Sequence, residues 1–266
     1  MIEKRFISKS FRDDIIFEIK SIKNADAFIW HQAFEDSLSE IENSTNKLKN
    51  SGFCASLVKN NIVLSQFVGL ETNFKEKKGI YIYALCTNPA FRNKGYMRLL
   101  LELSFEYGKE VGYDFFWLFP ASEDLKKSYN KIGFTVEIPV GASSFPTEEN
   151  DFFSSVNFKN LSNGIVISAF DGDYKRLYCF SDKIFDYDTF EYSIKSIADN
   201  IEINYIEECG KVAGFIILSK IFPHKAIYVS DKYARLIKKE KKEFAYLYPL
   251  SFSNYNDIYS AEPLPR

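Results

Sequence analysis

Residues 85–97, LCTNPAFRNKGYM, join two segments of different character. Before them, residues 79–86 (GIYIYALC) form an apolar run typical of a buried strand, and after them a leucine-rich helical pattern begins. A helix start leaves backbone N–H groups without partners, and the helix dipole adds partial positive charge there. Gly95 lets a ligand approach the backbone, and Arg92 and Lys94 add formal charge. The stretch predicts an anion site, although an ordinary strand-to-helix turn with surface cations is the alternative.

Length and composition are those of an ordinary globular protein. The 266 residues suffice for one large or two modest domains, and 46% of them are apolar. A net charge of -2 excludes a strongly basic nucleic-acid binder. The sequence shows neither an apolar signal core at its start nor an apolar run of membrane-spanning length. We therefore expect a cytoplasmic protein without a nucleic-acid or membrane partner.

Cysteine and histidine are too few and too scattered to suggest a metal site. No pair of cysteines has metal-ligand spacing, so we expect reduced, mostly buried thiols and no metal. Of the two histidines, His31 lies beside the apolar face of a helical pattern. A structural or substrate-pocket role is favoured for it over metal ligation, because no partner is visible nearby. The cysteines are Cys54, Cys86, Cys179 and Cys209.

Hydrophobic patterning predicts a mixed α+β domain over residues 1–140. Strands 79–86 and 113–119 are separated by a helix, so we expect them to be parallel and to form a βαβ unit. Ser122 is expected to cap the next helix. In chain order, the other predicted elements are an edge strand at 4–11, helices at 13–22 and 27–41, a hairpin at 53–70, a helix from 99 to about 112, and a strand at 134–140.

Two motifs make this part of the chain resemble the GNAT superfamily of acyl-CoA-dependent N-acyltransferases. The family's phosphate loop follows the pattern Gln/Arg-x-x-Gly-x-Gly/Ala, and here it stands as Arg92-Asn-Lys-Gly95-Tyr-Met97. Met97 departs from the pattern, which has a small residue there. The second motif, a tyrosine shortly before a Gly-Phe pair, is matched by Tyr129 and Gly133-Phe134. One helix and one strand separate the motifs, as in the family.

The resemblance implies a GNAT fold and acetyl-CoA as co-substrate, without a metal. Main-chain amides of the phosphate loop would hold the CoA pyrophosphate, and the end of strand 79–87 would pair with the pantetheine like an added strand. This arrangement needs a splay between strands 79–87 and 113–119. The implied cofactor-binding residues are Leu85, Cys86, Thr87, Arg92, Asn93, Lys94, Gly95, Tyr96, Met97 and Ser122.

By its match to the family pattern, Tyr129 is the candidate acid that protonates the CoA sulfur. A phenol with a pKa of about 10 suits a thiolate whose pKa is about 8–9. A role limited to packing beside the cofactor is the alternative for this residue. The backbone N–H of Leu85 or a neighbour is the expected oxyanion donor.

The sequence does not identify a single general base. No carboxylate lies within strand 79–87, and Glu71, Glu35 and Asp36 are the candidates. Each of them also fits an ordinary surface charge. Covalent catalysis by Cys86 is disfavoured, because no histidine or other base accompanies it.

The second part of the chain is predicted to be a linker and a smaller unit. Residues 141–160 have linker composition, and 161–266 show a mixed pattern with strand 164–170, helix 188–198 and a hairpin at 202–219. The layout of this hairpin resembles that of the first half, but no phosphate-loop motif follows it. We interpret 161–266 as a degenerate GNAT-like domain that walls off part of the acceptor groove or forms a homodimer contact.

The expected function is transfer of an acetyl group from acetyl-CoA to a primary amine by direct attack. The acceptor would be a small molecule or a peptide amine. The alternative is a non-catalytic acyl-CoA-binding or regulatory module with the same fold. Aromatic residues on the expected acceptor side favour a small or partly apolar amine, although a core position is the alternative for each: Phe28, Trp30, Phe34, Tyr81 and Tyr83.

Overall fold

The chain divides into two compact units. The structure is a computed structural model, and it describes residues 10–11, 14–74, 76–140, 154–156, 165–221, 225–230, 233, 237–238 and 243–250. The first unit comprises Met1–Val136 and Tyr246–Asn254, and the second comprises Glu137–Ala245 and Tyr255–Arg266. The described ranges contain no helix long and apolar enough to cross a membrane.

The first unit is built from strands and helices in mixed order. They are β1 (Ser10–Phe11), β2 (Ile15–Lys20), α1 (Ala27–Phe34), α2 (Leu38–Lys47), β3 (Gly52–Lys59), β4 (Ile62–Phe74), β5 (Lys77–Thr87), α3 (Tyr96–Val111), β6 (Phe115–Leu118) and α4 (Glu123–Asn130). Strands β1 to β6 follow one another in the sheet, and every described pair among them is antiparallel except β5 with β6, which is parallel. The βαβ unit and the hairpin predicted from the sequence are thereby confirmed.

The second unit has its own sheet. The elements after α4 are β7 (Val136–Val140), β8 (Ser154–Val156), β9 (Ile165–Ala169), α5 (Tyr174–Cys179), α6 (Tyr187–Lys195), β10 (Ile201–Glu208), β11 (Lys211–Ser219), β12 (Lys225–Val229), β13 (Ile237–Lys238) and β14 (Glu243–Pro249). Of these, β7 and β14 are strands of the first sheet, which has the order β1-β2-β3-β4-β5-β6-β14-β7. The second sheet has the strand order β13-β8-β12-β11-β10-β9. The hairpin predicted at 202–219 is confirmed as β10 and β11.

Strand β2 replaces the helix predicted for residues 13–22, so that prediction is wrong. Along IIFEIK, Ile15, Phe17 and Ile19 are buried, while the residues between them are exposed or half-buried. This alternation has the period of a strand, and five residues of β2 pair antiparallel with β3. Isoleucines at three- and four-residue intervals match a helix face as well. In so short a segment the ladder with β3 decides between the two periods.

The helix predicted over residues 27–41 is two helices. Glu35 ends α1 in the left-handed conformation, with φ 64°. Ser37 then starts α2 with a capping box, in which its side chain accepts from the Glu40 N–H and the Glu40 side chain accepts from the Ser37 N–H. Phe34 and Leu38, on either side of this break, are exposed.

The domain bounds expected from the sequence differ from the observed units at two places. Within the predicted linker 141–160, Ser154–Val156 is a strand of the second sheet, and the rest of that segment lies outside the described residues. Near the C-terminus, 246–249 of β14 pair antiparallel with 115–118 of β6, so they belong to the first unit rather than to 161–266. The predicted strand at 4–11 is described only as Ser10–Phe11.

Candidate active site

Helix α3 begins without a side-chain cap, unlike the other described α-helices. Its N-cap residue, Gly95, has no side chain that could accept from the first-turn N–H groups, and no acidic residue lies in that turn. A side chain caps each of the other five: Asp26, Ser37, Ser122, Asp173 and Asp186 cap α1, α2, α4, α5 and α6. The N–H donors at the start of α3 are therefore available to an anion.

The loop before α3 turns through two left-handed residues. Asn93 has φ 60° and Gly95 has φ 81°, and nothing lies within 4 Å of the position a Cβ on Gly95 would take. Arg92 and Lys94 are exposed, and neither forms an ion pair with a described residue. Lys94 lies over the Phe91 ring, with Nζ 5.1 Å from its centroid. The loop thus offers open space, free N–H groups and two cations at one helix start.

Asn88 and Arg92 brace the chain between β5 and this loop. The Asn88 side chain accepts from the Ala90 N–H at 3.1 Å, and the Asn88 N–H donates to the Leu64 carbonyl at 2.9 Å. Arg92 Nε donates to the Thr87 carbonyl at 3.3 Å. These bonds set the direction in which the chain leaves β5, because they tie the turn to both β4 and β5.

Strand β5 lacks its parallel neighbour over the half that leads to the loop. Pairing with β6 covers only Gly79, Ile80 and Tyr81 of β5, opposite Phe115 to Trp117. From Ile82 to Thr87, the strand pairing of β5 is with β4, since the pairs between β5 and β6 end at Tyr81. The splay predicted from the resemblance is present, and it leaves backbone groups of β5 available to an extended ligand.

A β-bulge lies in this open half. Gln66 pairs with Cys86 and Val68 with Tyr83, so Ala84 and Leu85 of β5 together face Phe67. Ala84 has φ 49°, a left-handed conformation that is uncommon outside glycine. The bulge turns the backbone of Leu85 out of the regular ladder, which is how such bulges re-aim groups at binding sites.

The buried thiols are unsuited to covalent chemistry. Burial raises the pKa of both the Cys86 thiol and the Cys54 thiol to about 12. At neutral pH both are therefore protonated, and a thiol is a poor nucleophile. Cys179 and Cys209 are exposed, so the expectation of mostly buried cysteines holds for two of the four.

Tyr129 lies in the last turn of α4 and is almost fully buried. Its side chain is 7% exposed and packs edge-on against Phe134, with ring centroids 5.9 Å apart. Burial raises the pKa of its phenol to about 12, so the hydroxyl keeps its proton throughout the neutral range. Gly133, with φ 116°, lets the chain reverse after α4, and the Phe134 N–H donates to the Tyr129 carbonyl at 3.2 Å.

The remaining cofactor-site candidates, Ser122, Tyr96 and Met97, lie at the starts of two helices, α4 and α3. Because β5 and β6 are parallel, the segments that follow them leave the sheet at the same edge, which places the start of α4 on the same side as the start of α3. Ser122 Oγ accepts from the Leu125 N–H at 3.3 Å, so the predicted helix cap is confirmed. Tyr96 and Met97 form the first turn of α3 and pack against the core of the unit.

The three base candidates are in different surroundings. Glu71 accepts from the Tyr113 hydroxyl at 2.7 Å and pairs in register with Ile80, away from the open half of β5. Glu35 is the left-handed residue that ends α1. Asp36 accepts from the indole N–H of Trp30 at 2.8 Å.

Sequence reasoning missed one site residue, Gln66. Its side chain is 1% exposed and forms two hydrogen bonds with the main chain of Asp26, accepting from the N–H and donating to the carbonyl, each at 2.8 Å. It thereby anchors the start of α1 on β4, next to the bulge. The available signal was a glutamine in the largely apolar first part of β4, since a buried amide needs partners.

The expected aromatic acceptor side is partly core. Tyr81 is 6% exposed, with its ring centroid 4.6 Å from that of Trp117, and Tyr83 is 9% exposed. Trp30 is 2% exposed, whereas Phe28 is 60% and Phe34 is 46% exposed. Only the last two present most of their surface to solvent.

The residues present fit a nucleotide-type cofactor better than a metal. The open start of α3, the exposed cations beside it and the half of β5 that does not pair with β6 suit an anionic group joined to an extended chain. Within the described part of the chain, no group of three or more His, Cys, Asp or Glu residues could hold a metal ion.

Comparison with known proteins agrees with this geometry. Residues 18–134 match the model of the acetyltransferase (GNAT) family. No curated protein matches the sequence.

Two solved structures resemble most of the chain in fold. A GCN5-related N-acetyltransferase from Anabaena variabilis has a TM-score of 0.58 at 12% identity, over 88% of this chain and 73% of that one. A conserved protein of unknown function from Enterococcus faecalis, a probable N-acyltransferase, has a TM-score of 0.54 at 13% identity, over 76% of this chain. The match spans about half (54%) of the Enterococcus faecalis chain. At such identities the likeness shows the fold alone.

Proposed function

We propose that this protein, whose residues 18–134 match the model of the acetyltransferase (GNAT) family, transfers an acetyl group from acetyl-CoA to a primary amine. The observation that carries the proposal is the start of α3, the described α-helix without a side-chain cap. There, N–H donors without a side-chain cap, open space at Gly95 and the two exposed cations Arg92 and Lys94 coincide. Such a helix start binds a phosphate group with little reorganisation.

In this proposal the loop at 92–97 holds the pyrophosphate of CoA. The backbone N–H groups at the start of α3 donate to it, and the helix dipole adds to their effect. Arg92 and Lys94 contribute charge from the exposed side of the loop. The side chain of Asn93 is less important than its left-handed backbone, which turns the chain toward Gly95.

The open half of β5 holds the pantetheine arm and the thioester. Leu85, Cys86 and Thr87 offer main-chain groups there, because β6 does not pair with them. Acetyl-CoA supplies the activated acyl group and a thiolate leaving group. The N–H of Leu85, turned out of the ladder by the bulge, is the proposed donor to the oxygen that gains charge when the amine attacks.

Tyr129 is the proposed acid for the departing sulfur. Burial raises the pKa of its phenol to about 12, so the hydroxyl is protonated at neutral pH and can donate to the sulfur as negative charge develops there. Among the described residues, no hydrogen-bond partner competes for this proton. A phenol with a much lower pKa would be partly ionised at neutral pH and could not donate that proton.

Two measurements test the proposal and separate it from a non-catalytic acyl-CoA-binding module. Calorimetry with CoA and with acetyl-CoA should show binding, and thiol release over a panel of primary amines should show turnover. Binding without thiol release on any amine favours the non-catalytic module. An absence of binding up to millimolar CoA contradicts both functions.

A further inference from the structure

The carboxylate of Asp36 is fixed in place although it lies at the protein surface. It is half-buried, and one oxygen, Oδ2, accepts from the indole N–H of Trp30 at 2.8 Å. The Nδ1–H of His31 donates to the Asp36 carbonyl at 2.8 Å, which holds the main chain of the same residue. The other carboxylate oxygen, Oδ1, has no hydrogen bond or ion pair with a described residue. One oxygen is thus oriented by the protein and the other is free to bind.

Trp30 connects this carboxylate to the open half of β5. Its indole is 2% exposed and meets Tyr83 edge to face, with ring centroids 5.4 Å apart. Tyr83 lies in the part of β5 that β6 does not pair, one residue before Ala84 and the bulge. The indole therefore contacts both the Asp36 carboxylate and the strand on which acyl transfer is proposed.

Hydrogen bonds fix the start of α1 as well as its end. The two hydrogen bonds between Gln66 and the main chain of Asp26 tie the helix to β4, and the Asp26 carboxylate caps the N–H groups of Phe28 and Ile29. Such buried pairs are costly to break, so α1 cannot shift freely over the sheet. Asp36 consequently keeps its position without a ligand, and a ligand does not have to order it.

The charges around Asp36 are opposite to those of the cofactor loop. From residue 25 to residue 46 there is no lysine or arginine, and five carboxylates occur: Asp26, Glu35, Asp36, Glu40 and Glu42. From residue 87 to residue 98 there is no carboxylate, and Arg92, Lys94 and Arg98 occur. One segment therefore attracts cations and the other anions.

Apolar side chains flank the carboxylate. Phe34 is 46% and Leu38 57% exposed, two positions before and two after Asp36. Exposed side chains of this size offer contact area to the apolar part of a ligand.

We propose that Asp36 binds the ammonium group of the acceptor, and that the acceptor is a primary amine whose cationic nitrogen is joined to an apolar group. The inference rests on the proposed acetyl transfer to an amine. Trp30 orients one carboxylate oxygen, the ammonium binds the other, and Phe34 and Leu38 contact the apolar part. An ammonium paired with a held carboxylate is a charge-assisted hydrogen bond, which is stronger than a neutral one.

The test uses two probes of nearly equal shape, 2-phenylethylamine and 2-phenylethanol, of which only the amine is charged at pH 7. Binding is followed by tryptophan fluorescence in a Trp117→Phe background, which leaves Trp30 as the single remaining tryptophan of the two in the sequence. The amine should give a saturable change and the alcohol a much weaker one. Asp36→Asn should weaken amine binding about 10- to 100-fold, because it removes the charge but keeps an acceptor for the indole.

Glu35→Gln is the matched control, since it removes the neighbouring carboxylate and should leave amine binding unchanged. Asp36→Ala is the second variant, and circular dichroism confirms that each variant is folded. Equal amine binding by wild type and Asp36→Asn, or no fluorescence change in the wild type, overturns the inference. Calorimetry with CoA on the same samples tests the proposed function separately, because loss of CoA binding in the wild type contradicts that function without bearing on the amine.

Discussion

Replacing Gly95 by alanine is expected to weaken CoA binding while the first unit stays folded. Gly95 has φ 81°, and an L-residue in this conformation costs roughly 1–2 kcal/mol. The added Cβ meets no atom of the protein within 4 Å, so no packing penalty is added. The melting temperature should fall by about 2–8 °C for a unit of this size.

The effect on binding follows from the same open space. In the proposed function, the Cβ of alanine would occupy the space through which an anion reaches the first-turn N–H groups of α3. A hydrogen bond to a charged group contributes about 1.5–3 kcal/mol, so loss of one such bond raises the Kd for CoA about 10- to 100-fold. Isothermal titration calorimetry measures the Kd, and thermal unfolding measures the stability.

Gly112→Ala is the matched control at the other end of the same helix. Gly112 has φ 87°, and the position of its Cβ is also free of neighbours within 4 Å. Both variants should therefore lose similar stability, and only Gly95→Ala should lose affinity for CoA. Wild-type affinity in Gly95→Ala, or an equal loss in Gly112→Ala, would refute the assignment of the loop to the pyrophosphate.

Three further predictions concern buried groups. Tyr129→Phe should lower kcat about 10²- to 10⁴-fold in a thiol-release assay while the Kd for CoA stays within about threefold, and an unchanged kcat would remove the acid role. Gln66→Leu should lower the free energy of unfolding by about 1–3 kcal/mol in urea, because it leaves the Asp26 N–H without its partner and leaves the Asp26 carbonyl only the Trp30 N–H as a donor, and a loss below about 0.5 kcal/mol would contradict the anchor. Burial raises the pKa of the thiols of Cys54 and Cys86 from 9.0 to about 12, so their contribution to stability is complete below about pH 9 and is lost as the pH rises to about 12. Cys54→Ala should make the free energy of unfolding, measured by urea titrations at stepped pH, fall less steeply over this pH range. An equally steep fall in the variant would contradict the assignment of the pH dependence to these thiols.

Local patterns in the sequence were sufficient for the βαβ unit and the loop at the start of α3. The apolar run of β5, the turn ending at Gly95 and the leucine repeat of α3 each depend on neighbours a few residues away. The same holds for the Ser122 cap and the reversal at Gly133. Such signals can be recognised without knowledge of the rest of the chain, because the forces behind them act within one or two turns.

Local patterns were insufficient where two periods fit the same residues. The isoleucines at 15, 16, 19 and 22 match a helix face, yet β3 supplies a ladder of hydrogen bonds that only a strand can use. The break between α1 and α2 was signalled by Ser37 and Glu40, but the continuous apolar spacing across it favoured a single helix. In the second case a capping signal competed with periodicity, and the cap prevailed.

By itself, the sequence determined the resemblance of the first unit to the GNAT superfamily, the place of the candidate anion-binding loop and the identity of Tyr129 as a candidate acid. Only the tertiary structure decided that β5 loses its partner β6 beyond Tyr81, that Gln66 anchors α1, that Trp30 orients Asp36, and that the last strand, β14, returns to the first sheet. The physical reason is the range of the interactions. Loop, cap and turn preferences are local, whereas strand partners, burial and the pairing of buried amides depend on segments far apart in the chain.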